Sequence, residues 1–205
     1  DAEQTLRLQA RLALARGKLL ETPHAERLAQ VSLASDLARR LADPSLLSVT
    51  LDDRADLEMA AGDTAAARAT MAEALDLVES LDEPSRTMRV AHRLACLDAD
   101  AGDPAAFEHA ARMLAVLDQA LGPSHPQTYS FLLDVANRWL QATSEPPAPF
   151  TERIRRAVDD LAPHAAALHP FTWSSLVQLL GALNDAPRSL RACDLALGAQ
   201  HTLLA

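Results

Sequence analysis

The chain has 205 residues, a mass of 22.0 kDa and a formal net charge of −9. This length is enough for one globular domain or one short repeat array with a core of its own. The acidic balance argues against a surface that binds nucleic acid directly, because phosphate would be repelled and no basic stripe compensates. The sequence contains neither an uncharged apolar run of about 18 residues nor a basic-then-apolar leader, so we expect no membrane span.

The apolar part of the chain consists mainly of Ala and Leu. Apolar residues make up 49% of the sequence but aromatic residues only 3%, and Ala and Leu are the residues that suit helices best. An Ala-rich sequence with many arginines and a single lysine, Lys18, favours a bacterial source. Cys96 and Cys193 each stand in an apolar helical pattern without a CxxC motif, which predicts reduced, buried thiols in a cytoplasmic protein.

The predicted helices follow a proline period. After an N-terminal helix pair that divides between Gly17 and Pro23, prolines at 44, 84, 126 and 170 are spaced by 40, 42 and 44 residues. Proline suits the first turn of a helix, since its missing N–H would be unpaired there and its fixed φ is already helical. Each proline follows a residue that can cap a helix: Asp43, Glu83, His125 and His169.

Each period then divides into two helices. Residues 43–63 align with residues 83–103 after a shift of 40, and both stretches close on Ala-Gly-Asp. Gly62 and Gly102 can take the left-handed conformation that ends a helix. The aspartates that follow can cap the next helix through their side-chain oxygens. The pattern therefore predicts two-helix hairpins.

Two six-residue stretches, HPQTYS at 125–130 and HPFTWS at 169–174, mark the beginnings of the last two hairpins. A hairpin of about 40 residues cannot bury its apolar face alone, so neighbouring hairpins must stack into a solenoid. We predict one array over residues 1–205 with hairpins at about 1–43, 44–83, 84–124, 125–168 and 169–205.

The stretch LGPSHPQTYSFLLDVANRWL at 121–140 resembles the long-period tetratricopeptide (TPR) repeats of the kinesin light chain type. Ala67, Ala74 and Leu75 stand where that family places residues that let paired helices approach. The sequence departs from the pattern at four places, Arg54, Glu58, Phe107 and Leu114. The resemblance implies an all-α, right-handed helical-hairpin solenoid of about five antiparallel helix pairs, of the type found in regulatory regions of bacterial signalling proteins.

The sequence carries no common catalytic motif. P-loop, GxGxxG, GxSxG and HExxH patterns are absent, which predicts no enzyme, no catalytic residue and no cofactor. His164 and His169 with Asp159 or Asp160 could be drawn as metal ligands, but a histidine before a proline at a helix start is better interpreted as a cap, so no metal is expected. Adjacent acidic residues are interpreted as solvated faces and caps: Asp52-Asp53, Asp82-Glu83 and Asp159-Asp160.

Charge is concentrated in the second and third hairpins. Residues 44–124 carry a net charge of −9, whereas the segments before and after them carry +1 and −1. A basic or arginine-rich partner would be drawn to that segment.

The resemblance also implies where a partner would lie, because the first helix of each TPR hairpin lines the concave groove. Within those helices, Asn137 and Gln141 are one turn apart and could pair with a peptide backbone. The predicted partner-binding residues are Asp52, Asp53, Asp56, Arg89, His92, Arg93, Ser130, Asp134, Asn137, Gln141, Ser174 and Gln178.

Two functions from different classes remain open. The first is a protein- or peptide-binding scaffold, as the regulatory or sensor repeat region of a larger bacterial signalling or transcriptional regulator. The second is a helical accessory domain that positions substrate for, or inhibits, an attached enzyme such as a protease or kinase. A sensor of peptide pheromones is a third hypothesis, and the sequence names neither the partner nor the oligomeric state.

Overall fold

A computed structural model describes residues 2–143 and 145–204. Over these residues the chain forms ten α-helices, one 3-10 helix and no β-strand. None of the described helices combines the length and the apolar character that a membrane span requires. The α-helices are α1 Ala2–Gly17, α2 His24–Arg40, α3 Pro44–Ala60, α4 Thr64–Ser80, α5 Pro84–Asp100, α6 Ala105–Leu121, α7 Pro126–Ala142, α8 Ala148–Leu161, α9 Pro170–Ala182 and α10 Ala186–Leu204, with the 3-10 helix at Ala162–Ala167. The predicted fold class, an all-α helical-hairpin solenoid, is confirmed.

The proline residues begin helices where the sequence predicts them. Helices α3, α5, α7 and α9 each start on one of the four periodic prolines. The repeated His-Pro stretch is a capping device, because Nδ1 of His125 accepts a hydrogen bond from the backbone N–H of Gln127 at 3.2 Å. His169 accepts from Phe171 at the same distance. Both histidines are extended, as expected before proline.

The same tight turn joins five pairs of consecutive helices: α2 to α3, α3 to α4, α4 to α5, α5 to α6 and α9 to α10. Gly62 and Gly102 have φ angles of 80° and 66°, in the left-handed region that ends a helix. Three residues other than glycine take the same conformation in equivalent turns, Ala42, Asp82 and Asn184, with φ angles of 48°, 52° and 54°. The sequence analysis assigned this conformation only to the glycines. Asn and Asp are also enriched in it, so Asp82 and Asn184 carried a local signal, whereas Ala42 carried none.

Residues 1–90 form one compact unit. Helix α2 packs against α1 within its hairpin and against α3 of the next, so neighbouring hairpins stack. Small buried side chains allow these close approaches, and Ala67 and Ala74 are fully buried at the positions that the TPR pattern assigns to them. Val31 and Leu51 fill the space between the helices.

Residues 91–205 form the second compact unit, and the boundary falls inside α5. Its core contains an aromatic group in which the ring centroid of Phe107 lies 4.9 Å from that of Trp139 and 4.7 Å from that of Phe150. Phe107 stands where the TPR pattern has a small residue. Phe150 on α8 packs against the buried core cluster to which Phe107 belongs. The aromatic residues of the two His-Pro stretches, Tyr129 and Trp173, are both buried.

Candidate functional site

Acidic and basic side chains from the predicted groove positions meet in the first unit. Asp52 on α3 has its Oδ2 atom 3.7 Å from the guanidinium of Arg89 on α5. Asp53 on the same helix has its Oδ2 atom 2.9 Å from Nζ of Lys18. Asp52 and Asp53 therefore each have a cation of the chain itself beside them, and Asp56 is exposed. Asp52 and Arg89 lie on the first helices of hairpins two and three, whereas Lys18 follows the end of α1.

In the second unit, two further residues from the predicted groove positions contact each other across a hairpin boundary. Nε2 of His92 on α5 lies 3.1 Å from Oδ2 of Asp134 on α7. The sulfur of Cys96, one turn after His92, lies 3.4 Å from Nε2 of His92 and 3.5 Å from Oδ2 of Asp134. We call His92, Cys96 and Asp134 the His92 cluster. Its three donor atoms converge on one point.

Neighbouring side chains fix the orientation of the His92 cluster. Arg138, one turn after Asp134 on α7, donates from Nε to the other carboxylate oxygen, Oδ1, at 3.2 Å. The same guanidinium donates to Oδ2 of Asp100 at 2.9 Å. Phe131 packs edge-on against the imidazole of His92, with ring centroids 4.6 Å apart. The Oδ2 atom of Asp134 is thereby left facing His92 and Cys96.

Proton affinities in the cluster follow from these contacts. The hydrogen bond from His92, opposed by burial and assisted by the charge of Arg138, lowers the pKa of Asp134 to about 2. Burial, together with the negative charge of Asp134, raises the pKa of the Cys96 thiol to about 12. Near neutral pH the cluster therefore holds a carboxylate beside a neutral thiol.

The remaining predicted groove residues lie on the first helices α5, α7 and α9. Arg93 and Asn137 are half-buried, whereas Gln141, Ser174 and Gln178 are exposed. Ser130 is exposed and donates its hydroxyl to the carbonyl of Pro126 at 3.2 Å. A partner-binding role for these six residues stays a prediction.

Solved structures similar to this chain have TPR-like repeats. The kinesin-light-chain-type repeats of a Podosopora anserina protein, in a substituted variant, superpose with a TM-score of 0.70 at 14% sequence identity, covering 100% of this chain and 98% of that one. A second structure of Podosopora anserina kinesin-light-chain-type repeats gives a TM-score of 0.64 at 14% identity, with coverage of 98% and 97%. BtubC (BKLC) from P. vanneervenii gives 0.60 at 14% identity, with coverage of 98% and 92%. The chain has a TPR-like fold.

Sequence comparison adds no closer assignment for this TPR-like chain. The sequence matches no protein-family model. It also matches no curated protein. The likeness to solved structures therefore supports the fold, and the function has to be argued from the residues.

The His92 cluster of the TPR-like chain does not have the arrangement of a nucleophilic triad. A cysteine–histidine–carboxylate relay places the thiol at one ring nitrogen and the carboxylate at the other. Here the thiol and the carboxylate both meet Nε2 of His92. Cys96 also lacks the lowered pKa that makes a thiol nucleophilic. Instead, one nitrogen, one sulfur and one oxygen atom lie within 4.8 Å of one another, which would allow all three to bind the same metal ion.

The alternative metal ligands weighed from the sequence lie elsewhere. Nδ1 of His169 accepts the capping hydrogen bond of α9, and Tyr129 donates its hydroxyl to the carboxylate of Asp160. Among the residues whose side chains the structure describes, the His92 cluster is the one group of three or more potential ligand residues whose donor atoms lie together.

Sequence reasoning included His92 and Asp134 but not Cys96, Arg138 or Phe131. Both cysteines were interpreted as buried structural thiols. Cys96 is buried, whereas the prediction was wrong for Cys193, which is only half-buried. A signal was present, because His92 and Cys96 are four residues apart on one helix and share a face. Asp134 follows His92 by 42 residues, which is one proline period.

Proposed function

We propose that this TPR-like chain is a non-catalytic scaffold that binds a protein or peptide along its first helices. It would form the regulatory or sensor repeat region of a larger bacterial signalling or transcriptional regulator and act in the cytoplasm. The observation that carries the proposal is the meeting of polar groove side chains from consecutive first helices, as with Asp52 and Arg89. A segment that crosses these helices would meet polar groups of successive repeats.

The chemistry of the α3 surface favours a basic partner. Asp52, Asp53 and Asp56 lie within two turns of one helix, in the segment that holds the net charge of −9. Lys18 and Arg89 contact two of these carboxylates from outside the helix. An arginine-rich segment would replace these internal cations rather than meet bare carboxylates. We therefore expect modest affinity per charge and a strong dependence on salt.

A charge-neutral variant tests this partner class. The variant Asp52→Asn, Asp53→Asn, Asp56→Asn keeps the size of each side chain and removes three negative charges. Exposed charge pairs contribute about 0.5 kcal/mol each, so the loss of three should weaken the binding of basic peptides about tenfold in a fluorescence anisotropy titration. Acidic peptides of equal length should bind neither protein.

A matched control removes the same charge from another surface. The variant Asp76→Asn, Glu79→Gln, Asp82→Asn changes the end of α4 and the turn after it, and should bind basic peptides within about twofold of the original chain. Equal weakening in both variants would mean that only the overall charge matters. No weakening in the α3 variant would remove the acidic groove from the proposal.

A further inference from the structure

We propose that the His92 cluster binds a divalent transition metal ion of the Zn²⁺ type. An imidazole nitrogen, a cysteine sulfur and a carboxylate oxygen are the three donor types that Zn²⁺ takes from proteins. The sulfur disfavours the hard cations Mg²⁺ and Ca²⁺, which prefer oxygen ligands. The inference concerns the chain alone and does not rest on the scaffold function.

The spacing of the three donor atoms matches a tetrahedral metal site. With Zn–N, Zn–O and Zn–S bonds of about 2.0 to 2.3 Å, the ligand atoms of a tetrahedron lie about 3.3 Å (N to O), about 3.6 Å (N to S) and about 3.5 Å (O to S) apart. The corresponding distances between His92, Asp134 and Cys96 are 3.1, 3.4 and 3.5 Å. An ion could thus occupy the common centre after shifts of a few tenths of an ångström.

The surroundings hold the ligands in this arrangement. His92 and Cys96 are one turn apart on α5, so the backbone of one helix fixes their separation. Arg138 occupies only the Oδ1 atom of Asp134 and is itself held by Asp100, which presents Oδ2 as a single ligand atom. Such outer contacts orient the ligands of protein metal sites.

The position is also open to a further ligand. A divalent ion bound there would be held by two negatively charged ligands, the thiolate of Cys96 and the carboxylate of Asp134, together with the imidazole of His92. The side chains of His92 and Asp134 are 18% and 34% exposed, so water or a donor atom of a partner can reach a fourth coordination position.

Cobalt spectroscopy tests the site, because Co²⁺ occupies zinc sites and reports a thiolate ligand by a charge-transfer band in the near ultraviolet. The tag-free chain of 205 residues, kept reduced, should develop this band together with the visible bands of tetrahedral Co²⁺. The signal should saturate at one equivalent and disappear when Zn²⁺ is added. Cys96→Ser should abolish the charge-transfer band.

The second cysteine supplies the matched control. Cys193→Ser should retain the full Co²⁺ spectrum, while Asp134→Asn and His92→Gln should bind Co²⁺ at least about tenfold more weakly. Far-UV circular dichroism establishes that each variant is folded, and if Cys96→Ser is not, the other two ligand variants decide. The proposal is overturned if the original chain shows no thiolate band, if Cys96→Ser retains it, or if folded Asp134→Asn and His92→Gln bind Co²⁺ as tightly as the original chain.

Discussion

Replacing Gly17 by alanine should loosen the first hairpin. Gly17 is the last residue of α1, and a Cβ atom there would lie 2.3 Å from Cγ2 of Val31 on α2 and 3.2 Å from the carbonyl oxygen of Arg27. Val31 is fully buried, and a β-branched side chain has few alternative rotamers. The extra methyl group must therefore push α1 and α2 apart, which also disturbs the 2.9 Å hydrogen bond from Nε of Arg27 to the carbonyl oxygen of Gly17.

Two opposing contributions determine how much Gly17→Ala changes the free energy of unfolding. Alanine is favoured over glycine in a helix by up to about 1 kcal/mol, and less at the last position. Overpacking a core costs about 1–3 kcal/mol, and a separation of 2.3 Å belongs at the upper end of that range. We expect Gly17→Ala to lower the free energy of unfolding by about 1–2 kcal/mol. Gly181→Ala on α9, where an added Cβ meets nothing within 4 Å, should raise it by about 0.5–1 kcal/mol.

Urea unfolding followed by far-UV circular dichroism measures both changes. Tryptophan fluorescence is unsuitable, since Trp139 and Trp173 both belong to the second unit. In a Val31→Ala background the clashing Cγ2 atom is gone, so Gly17→Ala should change the free energy of unfolding little. In a double-mutant cycle, the two substitutions should therefore show a coupling energy of at least about 1 kcal/mol. The reasoning fails if Gly17→Ala stabilises the chain as Gly181→Ala does, or costs the same in both backgrounds.

Two further outcomes follow from buried polar groups. Tyr129 is the single tyrosine of the chain, and burial together with its hydrogen bond to Asp160 raises the pKa of its phenol well above the usual value. Ultraviolet absorbance should thus show tyrosinate forming near pH 10 in urea-unfolded chain but not in folded chain. Because the folded state holds the phenol proton more tightly, the free energy of unfolding should fall above about pH 10, by up to about 1.4 kcal/mol per pH unit. Ionisation of Tyr129 at the same pH in the folded and unfolded chain would contradict this prediction. Glu58→Ala should lower the free energy of unfolding by about 1–3 kcal/mol, because buried Glu58 accepts hydrogen bonds from Arg54 at 2.6 Å and Thr70 at 2.7 Å. Urea unfolding measures this change, and a decrease below about 0.5 kcal/mol would contradict the prediction.

The sequence was informative where a local rule governs the backbone. Proline in a first turn and a capping side chain before it determine a helix start without help from distant residues, so Pro44, Pro84, Pro126 and Pro170 could be placed from the sequence. The turn at Ala42 could not, because nothing in alanine itself favours a left-handed conformation. Ala42 lies in the turn between α2 and α3, two helices that pack against each other.

The residues that depart from the TPR pattern could be explained only by their neighbours in the structure. Arg54 and Glu58 replace apolar residues of the pattern. In the structure, Glu58 accepts hydrogen bonds from Arg54 and from Thr70 on the next helix. The TPR resemblance placed His92 and Asp134 on the predicted groove. The spacing of His92 and Cys96 puts these two side chains on one face of α5. Their contact with Asp134 depends on how the two hairpins are rotated against each other, which no local signal records.

The state of Cys96 has a practical consequence. Thiol-reactive dyes attack the thiolate, and a buried thiol with a pKa of about 12 supplies almost none at neutral pH. Cys193 on α10 is only half-buried. A maleimide fluorophore should therefore attach to Cys193 of the unaltered chain, which provides a single labelled position for following unfolding or the docking of a ligand without any mutagenesis.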